Sequence, residues 1–296
     1  MSEKSVSLVL GSGGARGLAH IGVIDWLVEH DYKIASISGC SMGALVGGIY
    51  AAGKLDAYRK WVCSLDKGDI IKMLDLSFNL GGLFKGEKII TKLRDLVGDM
   101  KIEDLDISFT AVATNIETGK EVWFSKGSLF DAIRASISVP LVFTPVTKGN
   151  RILVDGGLVN PVPIAPTMSD NTDMTIAVNV DSEPEDDSDE RRDLISAPDE
   201  LDTPNWFTRM IDELQERFGL EGSSSRDEQW GFYEILTRSI EIMQTTIASM
   251  KMAAYAPDVT ISISREIARS YEFYRAEELI EYGYKRAERA LKKDKS

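Results

Sequence analysis

The segment Gly39-Cys40-Ser41-Met42-Gly43 strongly limits how this chain can fold. It follows a short run rich in β-branched residues, 34–38, and it opens a long uncharged stretch, 44–53. A strand, a Gly-x-Ser-x-Gly turn and a helix in that order are typical of a nucleophile elbow, because flanking glycines let the backbone turn sharply and lift the serine hydroxyl out of the sheet. The pattern predicts a catalytic nucleophile at Ser41, although the pentapeptide alone also fits an ordinary turn.

The uncharged window 34–53 is long enough to imitate a membrane span, and it contains the spacing Gly43-x-x-x-Gly47. Its content of glycine and serine makes it a poor hydrocarbon helix, so we interpret it as a buried strand, turn and helix. Residues 1–10 show no signal-peptide pattern, since a short apolar run leads directly into glycines. The chain has two cysteines, which argues against a disulfide framework, and we predict a cytoplasmic protein.

The formal net charge of the 296-residue chain is −13, and most of it lies in one segment. Eleven acids accompany two arginines between Asp181 and Asp202, which leaves about −4 for the rest of the chain. Nucleic acid is disfavoured as a partner because phosphate binding needs clustered Lys and Arg, and strong attraction to an anionic membrane is disfavoured for the same reason. We predict a mobile surface loop over residues 181–204, since so many charges cannot be buried.

A second glycine-rich segment, Gly11-Ser12-Gly13-Gly14-Ala15-Arg16-Gly17, follows a predicted buried strand at 6–10 and precedes a helix that ends near His30. Glycine N–H groups at a helix N-terminus can bind an anion. A Walker loop would need Gly-Lys-Ser/Thr at its end, and a dinucleotide site would need a third glycine where Arg16 stands. Two interpretations are left: a site for the oxyanion of a reaction intermediate, or a plain tight turn.

The choice of general base depends on where the histidines lie. Both His20 and His30 precede Ser41, whereas α/β-hydrolases place their histidine after the serine, so we interpret both as structural. A predicted hairpin at 146–154 delivers Asp155-Gly156-Gly157, and two glycines after a strand-end carboxylate allow close approach to another loop. Asp155 is therefore the best candidate base, although an isolated Asp-Gly-Gly is typical of turns.

Taken together, these three segments resemble the patatin-like phospholipase family, in particular its short bacterial intracellular members. That family carries a Gly-Gly-Gly-x-Arg-Gly oxyanion loop, a Gly-x-Ser-x-Gly elbow, and an Asp-Gly-Gly or Asp-Gly-Ala block, and it uses no histidine. Residues 12–17, 39–43 and 155–157 match these motifs in order, and residues 135–145 are similar to the family's stretch ahead of the dyad strand. Ser12 departs from the pattern, because the first glycine of the loop often lies there.

The resemblance covers about residues 6–180 and implies a three-layer α/β/α fold with a mainly parallel central sheet. It implies hydrolysis of carboxylic ester bonds in lipids, with no metal and no cofactor. Ser41 and Asp155 would form a catalytic dyad. The N–H groups of Gly13 and Gly14, together with that of Met42, would hold the oxyanion.

The sequence leaves several interpretations open for the role of Arg16 and for the activity of the protein. Arg16 could lend positive charge near the oxyanion or a lipid phosphate, or it could tie the loop to a neighbouring carboxylate. The predicted partners are an acyl lipid substrate, a membrane surface contacted transiently, and a further copy of the chain. The alternatives to a lipid acyl hydrolase are an esterase or thioesterase for soluble substrates, and a non-catalytic regulator or adaptor that binds through the acidic loop.

The rest of the sequence predicts α/β alternation within a single domain over residues 1–296. Helices are predicted at 55–71, 128–136, 229–252 and 271–291, and strands at 107–114, 121–124, 174–180 and 257–263, while residues 86–97 continue the alternation. An amphipathic segment at 206–218 could be a lid or membrane-docking helix, or a core or dimer helix. The apolar positions of 229–252 are interpreted as core; they are Phe232, Ile235, Leu236, Ile240, Met243, Ile247 and Met250.

Overall fold

The computed structural model describes residues 4–75, 82–183 and 232–293. The predicted helix at 206–218 and the acidic tract from residue 184 onward lie outside these ranges. The strands are β1 (Lys4–Leu10), β2 (Tyr32–Cys40), β3 (Gly82–Phe84), β4 (Ser108–Asn115), β5 (Lys120–Phe124), β6 (Leu141–Phe143), β7 (Val146–Lys148), β8 (Arg151–Asp155), β9 (Met174–Ser182) and β10 (Val259–Ser264). The helices are α1 (Ala19–Glu29), α2 (Met42–Ala51), α3 (Leu55–Cys63), α4 (Lys67–Met73), α5 (Glu87–Val97), α6 (Leu129–Ser136), α7 (Phe232–Tyr255) and α8 (Ala276–Lys293).

Eight of the described strands form one sheet, in the order β10-β9-β1-β2-β4-β8-β7, with β5 also paired to β4. The five strands from β10 to β4 are parallel to one another. Strands β5 and β8 are antiparallel to β4, and β7 is antiparallel to β8. The predicted three-layer α/β/α fold with a mainly parallel sheet is confirmed, because the sheet is largely parallel and helices flank it.

The two faces of the sheet are covered unequally. Leu8 and Leu10 of β1 belong to the main core, together with residues of α1, α2 and α8. Val9 and Ala177 point to the opposite face, as the two-residue period of a strand requires, and pack in a small cluster with Ala248 of α7. Ala248 is the one fully buried residue among the described side chains of α7. The helical layer on this second face is therefore thin, and α7 packs on it with most of its described side chains at least partly exposed.

Most predicted elements occur within a few residues of their expected bounds, but the single helix predicted at 55–71 is wrong. Residues 64–66 separate α3 from α4, and Asp66 caps α4 by accepting the N–H of Asp69 (2.8 Å). The uncharged window 34–53 forms parts of β2 and α2 around the serine turn, as predicted. Across the described ranges, no helix is long and apolar enough to cross a membrane.

The interpretation of the apolar pattern of α7 as a core face is also wrong. Ile235, Met243 and Met250 are 53%, 55% and 66% exposed. Instead, the helix turns Gln244 and Ala248 toward the sheet. On this inner side, Gln244 lies against Gly157 of the Asp155 loop, and Met252 and Tyr255 pack against the small cluster that contains Ala248.

Candidate active site

Ser41 occupies a strained turn between β2 and α2. Its backbone angles, φ 54° and ψ −122°, are rare for any residue other than glycine. A Cβ on Gly39 would lie 2.5 Å from the Gly43 carbonyl, and one on Gly43 would lie 2.0 Å from the Leu10 carbonyl oxygen. Glycine is therefore required on both sides of the turn, which has the backbone geometry of a nucleophile elbow.

Ser136 holds the backbone of this elbow in place. The Ser41 N–H donates to Ser136 Oγ (2.9 Å), and the Ser136 hydroxyl donates to the Val112 carbonyl (2.6 Å). Ser136 is fully buried at the end of α6. Sequence reasoning did not single out Ser136, and the available signal was its place in the family-like stretch 135–145.

Strand β4 brings the two predicted dyad residues together. Strand β2 pairs with β4 as far as Cys40, which lies opposite Val112, and β8 pairs with the next residue, Ala113, through Asp155. Strand β5 occupies the other edge of β4 over residues 111–115. Strands β2 and β8 therefore lie end to end along one edge of β4. The chain leaves β2 at Ser41 and β8 at Asp155, so the two residues lie at the same point of that edge.

Asp155 is buried, with 1% of its surface exposed. Its Oδ1 accepts the Gly157 N–H (2.7 Å) and the Cys40 thiol (3.7 Å). Burial raises the pKa of Asp155 to about 6, and hydrogen bonds from Ser41, Gly157 and Cys40 limit the rise. A carboxyl with this pKa is mostly ionised at pH 7 and can accept a proton.

The second carboxylate oxygen of Asp155 is the one without a regular hydrogen-bond partner among the described residues. Oδ2 is buried and accepts no hydrogen bond of regular geometry from the described residues, although the Ser41 hydroxyl is close enough to lower the pKa of the carboxyl. Contacts between a base and its nucleophile are often poorly aligned until substrate binds. An unpartnered acceptor beside the Ser41 hydroxyl is the arrangement that proton transfer requires.

The two glycines after Asp155 allow three elements to meet. A Cβ on Gly156 would lie 2.2 Å from the Val112 carbonyl oxygen. One on Gly157 would lie 2.9 Å from both Ser12 Oγ and Gln244 Nε2. The loop that carries Asp155 is therefore packed between β4, the first glycine-rich loop and α7.

The first glycine-rich loop lies beside the elbow. Strands β1 and β2 are parallel neighbours with Leu10 opposite Gly39, so both loops leave the sheet at the same level. A Cβ on Gly17 would lie 2.4 Å from Met42 Cβ, which shows how closely the loop and the start of α2 pack. A group bound at one loop would therefore lie beside the other.

Two N–H groups of this loop are available to a ligand. The Ser12 N–H donates to the Pro161 carbonyl (2.8 Å), so replacing the family's first glycine by serine removes no free donor. The N–H groups of Gly13 and Gly14, and that of Met42 at the start of α2, have no acceptor within the described parts of the chain. These are the three donors that the sequence predicts for the oxyanion.

Arg16 is engaged with the protein on every side of its guanidinium. Nε donates to the Gly13 carbonyl (3.3 Å), Nη1 to the Arg265 carbonyl (3.0 Å), and Nη2 forms an ion pair with Asp181 (3.2 Å). Of the two roles open for Arg16, these contacts favour the tie to a neighbouring carboxylate. The prediction of a mobile loop from residue 181 is wrong at its start, because Asp181 belongs to β9 and is held by this pair.

The same carboxylate connects the loop to α7. The Thr245 hydroxyl donates to Asp181 (2.8 Å), and one turn away Ala248 packs on the sheet. The cavity enclosed between the loop and α7 has a volume of about 20 Å³, with Gln244 among its lining residues. This space is large enough for one water but not for an acyl chain, so α7 covers the loop closely.

Both histidines have structural contacts. His20 is fully buried and donates from Nε2 to the Gly11 carbonyl (2.8 Å), and burial lowers its pKa to about 4, so its ring is neutral. His30 bonds the Trp26 carbonyl through Nδ1 (2.8 Å) and stacks on the Trp26 ring. Neither ring contacts Asp155, in agreement with the structural interpretation.

Cys40 is a further residue of the site that sequence reasoning treated as packing. Its thiol is buried beside Asp155, and burial raises the pKa of the thiol, which therefore stays protonated and donates to Oδ1.

In Cys40→Ala this donor is lost, so we expect the pKa of Asp155 to rise and the acid limb of the pH–rate profile to move to higher pH. Cys40→Ser restores a donor and should reverse the shift, whereas Cys63→Ala should leave the profile unchanged. A profile that Cys40→Ala does not move would contradict this role.

Comparison with known families agrees with the geometry. A family model described as patatin-like phospholipase matches residues 8–168, which contain all three motifs. The fold and the match define a class: this chain belongs to the patatin-like phospholipase family. Its members are esterases and phospholipases, so membership indicates a hydrolase.

The relatives extend this result over the whole chain. An uncharacterized NTE family protein of Mycobacterium tuberculosis is 38% identical over 338 residues, covering 98% of this chain and 92% of the relative. The protein named neuropathy target esterase sws of Drosophila sechellia is 32% identical over 170 residues, covering 55% of this chain and 12% of that protein. Among solved structures, VipD from Legionella pneumophila matches with a TM-score of 0.48 and 14% identity, covering 99% of this chain and 67% of VipD.

Proposed function

We propose that this protein is a serine hydrolase of acyl lipids, with phospholipids or lysophospholipids as its substrates, that works through a dyad of Ser41 and Asp155. The observation that carries the proposal is the junction on β4, where the strained serine and the buried carboxylate arrive at adjacent positions of one strand edge. The pKa of Asp155 near 6 supports it, since a base with that pKa is ionised at neutral pH and can still release its proton.

In the first half-reaction, the Ser41 oxygen attacks the acyl carbonyl while its proton passes to Asp155 Oδ2. The resulting oxyanion accepts hydrogen bonds from the N–H groups of Gly13 and Gly14, with that of Met42 as a third donor. Collapse of the tetrahedral intermediate breaks the ester bond, and the leaving alcohol takes the proton from Asp155. The products are an acyl-Ser41 ester and a free alcohol.

In the second half-reaction, a water molecule attacks the acyl-Ser41 ester and gives its proton to Asp155. The same N–H groups hold the second oxyanion. Its collapse returns the proton to the Ser41 oxygen and releases the fatty acid. Each donor of this kind typically lowers the barrier by about 3 to 4 kcal/mol. Two or three such N–H groups would therefore supply a large part of the reduction in the activation barrier.

Two alternatives are distinguished by experiment. The same dyad could act on soluble esters or thioesters. A panel of substrates that differ in chain length and head group separates such an enzyme from a lipid acyl hydrolase. A regulator without catalysis would leave Ser41 unreactive. The family relation and the name of the Drosophila relative support an ester substrate.

The decisive experiment is labelling with a fluorophosphonate probe, followed by peptide mapping. We expect the adduct on Ser41, and no adduct in Ser41→Ala or Asp155→Asn. Ser38→Ala is the matched control: Ser38 is fully buried in the same strand, and its hydroxyl has no partner among the described residues, so labelling should persist. Absence of any adduct on the wild-type protein would refute the proposed function.

A further inference from the structure

Both residues of the proposed dyad are attached to one short segment at the end of α6. The Ser41 N–H donates to Ser136 Oγ (2.9 Å), and the Asp155 N–H donates to the Ser138 carbonyl (2.9 Å). Ser136 and Ser138 are fully buried. Ser41 and Asp155 come from distant parts of the chain, yet their backbones are bonded to residues only two positions apart. The distance between the two reacting groups therefore depends on the shape of this segment.

Arg134, a basic residue in the last turn of α6, holds that shape. Its Nη1 donates to Ser138 Oγ (2.7 Å), and the Ser138 hydroxyl donates to the Arg134 carbonyl (2.7 Å). The last carbonyls of a helix have no intrahelical partner, and the second of these bonds satisfies one of them. The two bonds close the chain into a tight turn after α6, which keeps the Ser138 carbonyl directed at the Asp155 N–H.

The other side of the guanidinium is bonded to a different part of the protein. Nη2 donates to the Lys85 carbonyl, and it donates to the carbonyl and the hydroxyl of Thr144 (both 3.0 Å). Lys85 directly follows β3 and Thr144 directly follows β6, and these two strands pair with each other. Arg134 therefore joins the end of α6 to this two-stranded sheet, a bridge for which the rigid, branched guanidinium is well suited.

The carboxylate paired with Arg134 is itself exposed. Glu87 Oε1 lies 3.9 Å from Arg134 Nε, and the Glu87 side chain is 68% exposed, against 8% for Arg134. Burial lowers the pKa of Arg134, and the charges of Glu87 and Asp75 oppose this shift only in part, so burying the guanidinium costs free energy. Its hydrogen bonds go to neutral carbonyls and hydroxyls beside the dyad, which fix geometry and do not neutralise charge. This pattern favours a role in positioning.

We propose that Arg134 and Ser138 are positioning residues for the dyad, which hold the Asp155 backbone where its carboxylate can take the proton of Ser41. This inference rests on the proposed Ser41–Asp155 mechanism. Neither residue touches the reacting atoms: Arg134 acts through the Ser138 hydroxyl, and Ser138 acts through its carbonyl on the Asp155 N–H. A misplacement of about 1 Å can lower a rate about 10²-fold, so a small relaxation of this turn is enough to slow turnover.

The first test compares Ser138→Ala with Thr144→Val in the full-length protein. Each change removes one hydroxyl that accepts a bond from the same guanidinium, but of the two residues Ser138 is the one that also bonds Asp155. On a short soluble ester, we expect Ser138→Ala to lower kcat about ten- to a hundredfold with little change in KM, and Thr144→Val to keep the parental kcat. Rates are compared per folded molecule, so a loss of stability alone changes neither value. Full kcat in Ser138→Ala, or an equal loss in Thr144→Val, would overturn the proposal.

Arg134→Lys tests whether the two residues act as one unit. Lysine keeps the positive charge, but its single nitrogen cannot bond Ser138 and the Lys85 and Thr144 carbonyls in the same fixed geometry. We expect kcat to fall in this variant, and the double variant with Ser138→Ala to be no slower than the slower single variant. Effects that multiply in the double variant would mean independent roles and would contradict the proposal.

Amide hydrogen exchange, followed by NMR, separates this inference from the proposed function. In Ser138→Ala the Asp155 N–H should exchange faster, because the turn that holds its acceptor is loosened. The Ile116 N–H, which donates to the Ile152 carbonyl (3.0 Å) beyond the other end of the β4–β8 ladder, should keep its rate. This measurement needs no turnover. A Ser41 that the fluorophosphonate probe does not label refutes the proposed function, whereas an unchanged exchange rate at Asp155 overturns the positioning role.

Discussion

Asp155→Asn should abolish hydrolysis and at the same time stabilise the protein at neutral pH. Asparagine cannot take the proton of Ser41, and loss of a general base typically lowers the rate about 10²- to 10⁴-fold. In the wild type, kcat/KM should rise with pH through about 6, where Asp155 ionises, and then level off. Steady-state kinetics on an acyl ester between pH 4.5 and 8.5 measure both effects.

The gain in stability follows from the direction of the pKa shift. The pKa of Asp155 is raised from 3.8 to about 6, so its contribution to the free energy of unfolding is greatest below pH 4 and falls as the pH rises through 6. Above pH 6 the ionised Asp155 lowers the free energy of unfolding of the wild type by an amount on the order of 2–3 kcal/mol. The Asp155→Asn variant does not carry this cost. The Cys40 and Gly157 donors can still bond the amide oxygen. Urea unfolding at pH 4.5 and 7.5 should therefore show the larger gain at the higher pH.

Asp173→Asn is the matched control for this result. Hydrogen bonds from Ser5 lower the pKa of Asp173, so its replacement should reduce stability at neutral pH and leave hydrolysis intact. An Asp155→Asn protein that is less stable than the wild type at pH 7.5 would show that the carboxylate is not the buried, destabilising group described above.

Gly14→Ala should reduce kcat by about 10²- to 10³-fold. Gly14 has φ +57°, and a Cβ there would lie 2.6 Å from the Ser270 carbonyl oxygen. The loop must therefore shift, which misplaces the N–H groups proposed for the oxyanion, and loss of one such donor has an effect of this size. Because the groups act on the intermediate, kcat should fall more than KM rises.

Gly119→Ala separates this effect from backbone strain. Gly119 also has a positive φ, +64°, but nothing lies within 4 Å of a Cβ built on it. The variant should lose about 1 kcal/mol of stability through the strained backbone and keep its kcat. If Gly14→Ala and Gly119→Ala were equally active, the first glycine-rich loop would have no part in catalysis.

Much of the fold follows from local patterns in the sequence. A short apolar run ended by glycine predicted β1, and a run of β-branched residues before the serine turn predicted β2. The residues of the predicted site lie together because the three motifs each follow a strand, and strand ends at one edge of a sheet are neighbours.

What the sequence did not predict depends on contacts between distant segments. The orientation of α7 is one example: its period predicted a helix, but its inward side is decided by the distant strand and loop residues on which Ala248 packs. Ser136 and Asp181 are others, since a buried serine bridging two backbones and an aspartate at the head of an acidic tract look like ordinary residues in the sequence.

The short ladder between β4 and β8 has a consequence for anyone who prepares this protein. Three residue pairs, from Ala113–Asp155 to Asn115–Leu153, set the alignment of the hairpin together with the backbone hydrogen bonds Ile116–Ile152 and Asp155–Ser138. A slip of one position would turn Asp155 to the opposite side of the sheet, and of the main core it would displace only Leu153. Because such a slip would leave the strands and helices themselves in place, turnover per molecule would be the sensitive indicator of correct assembly.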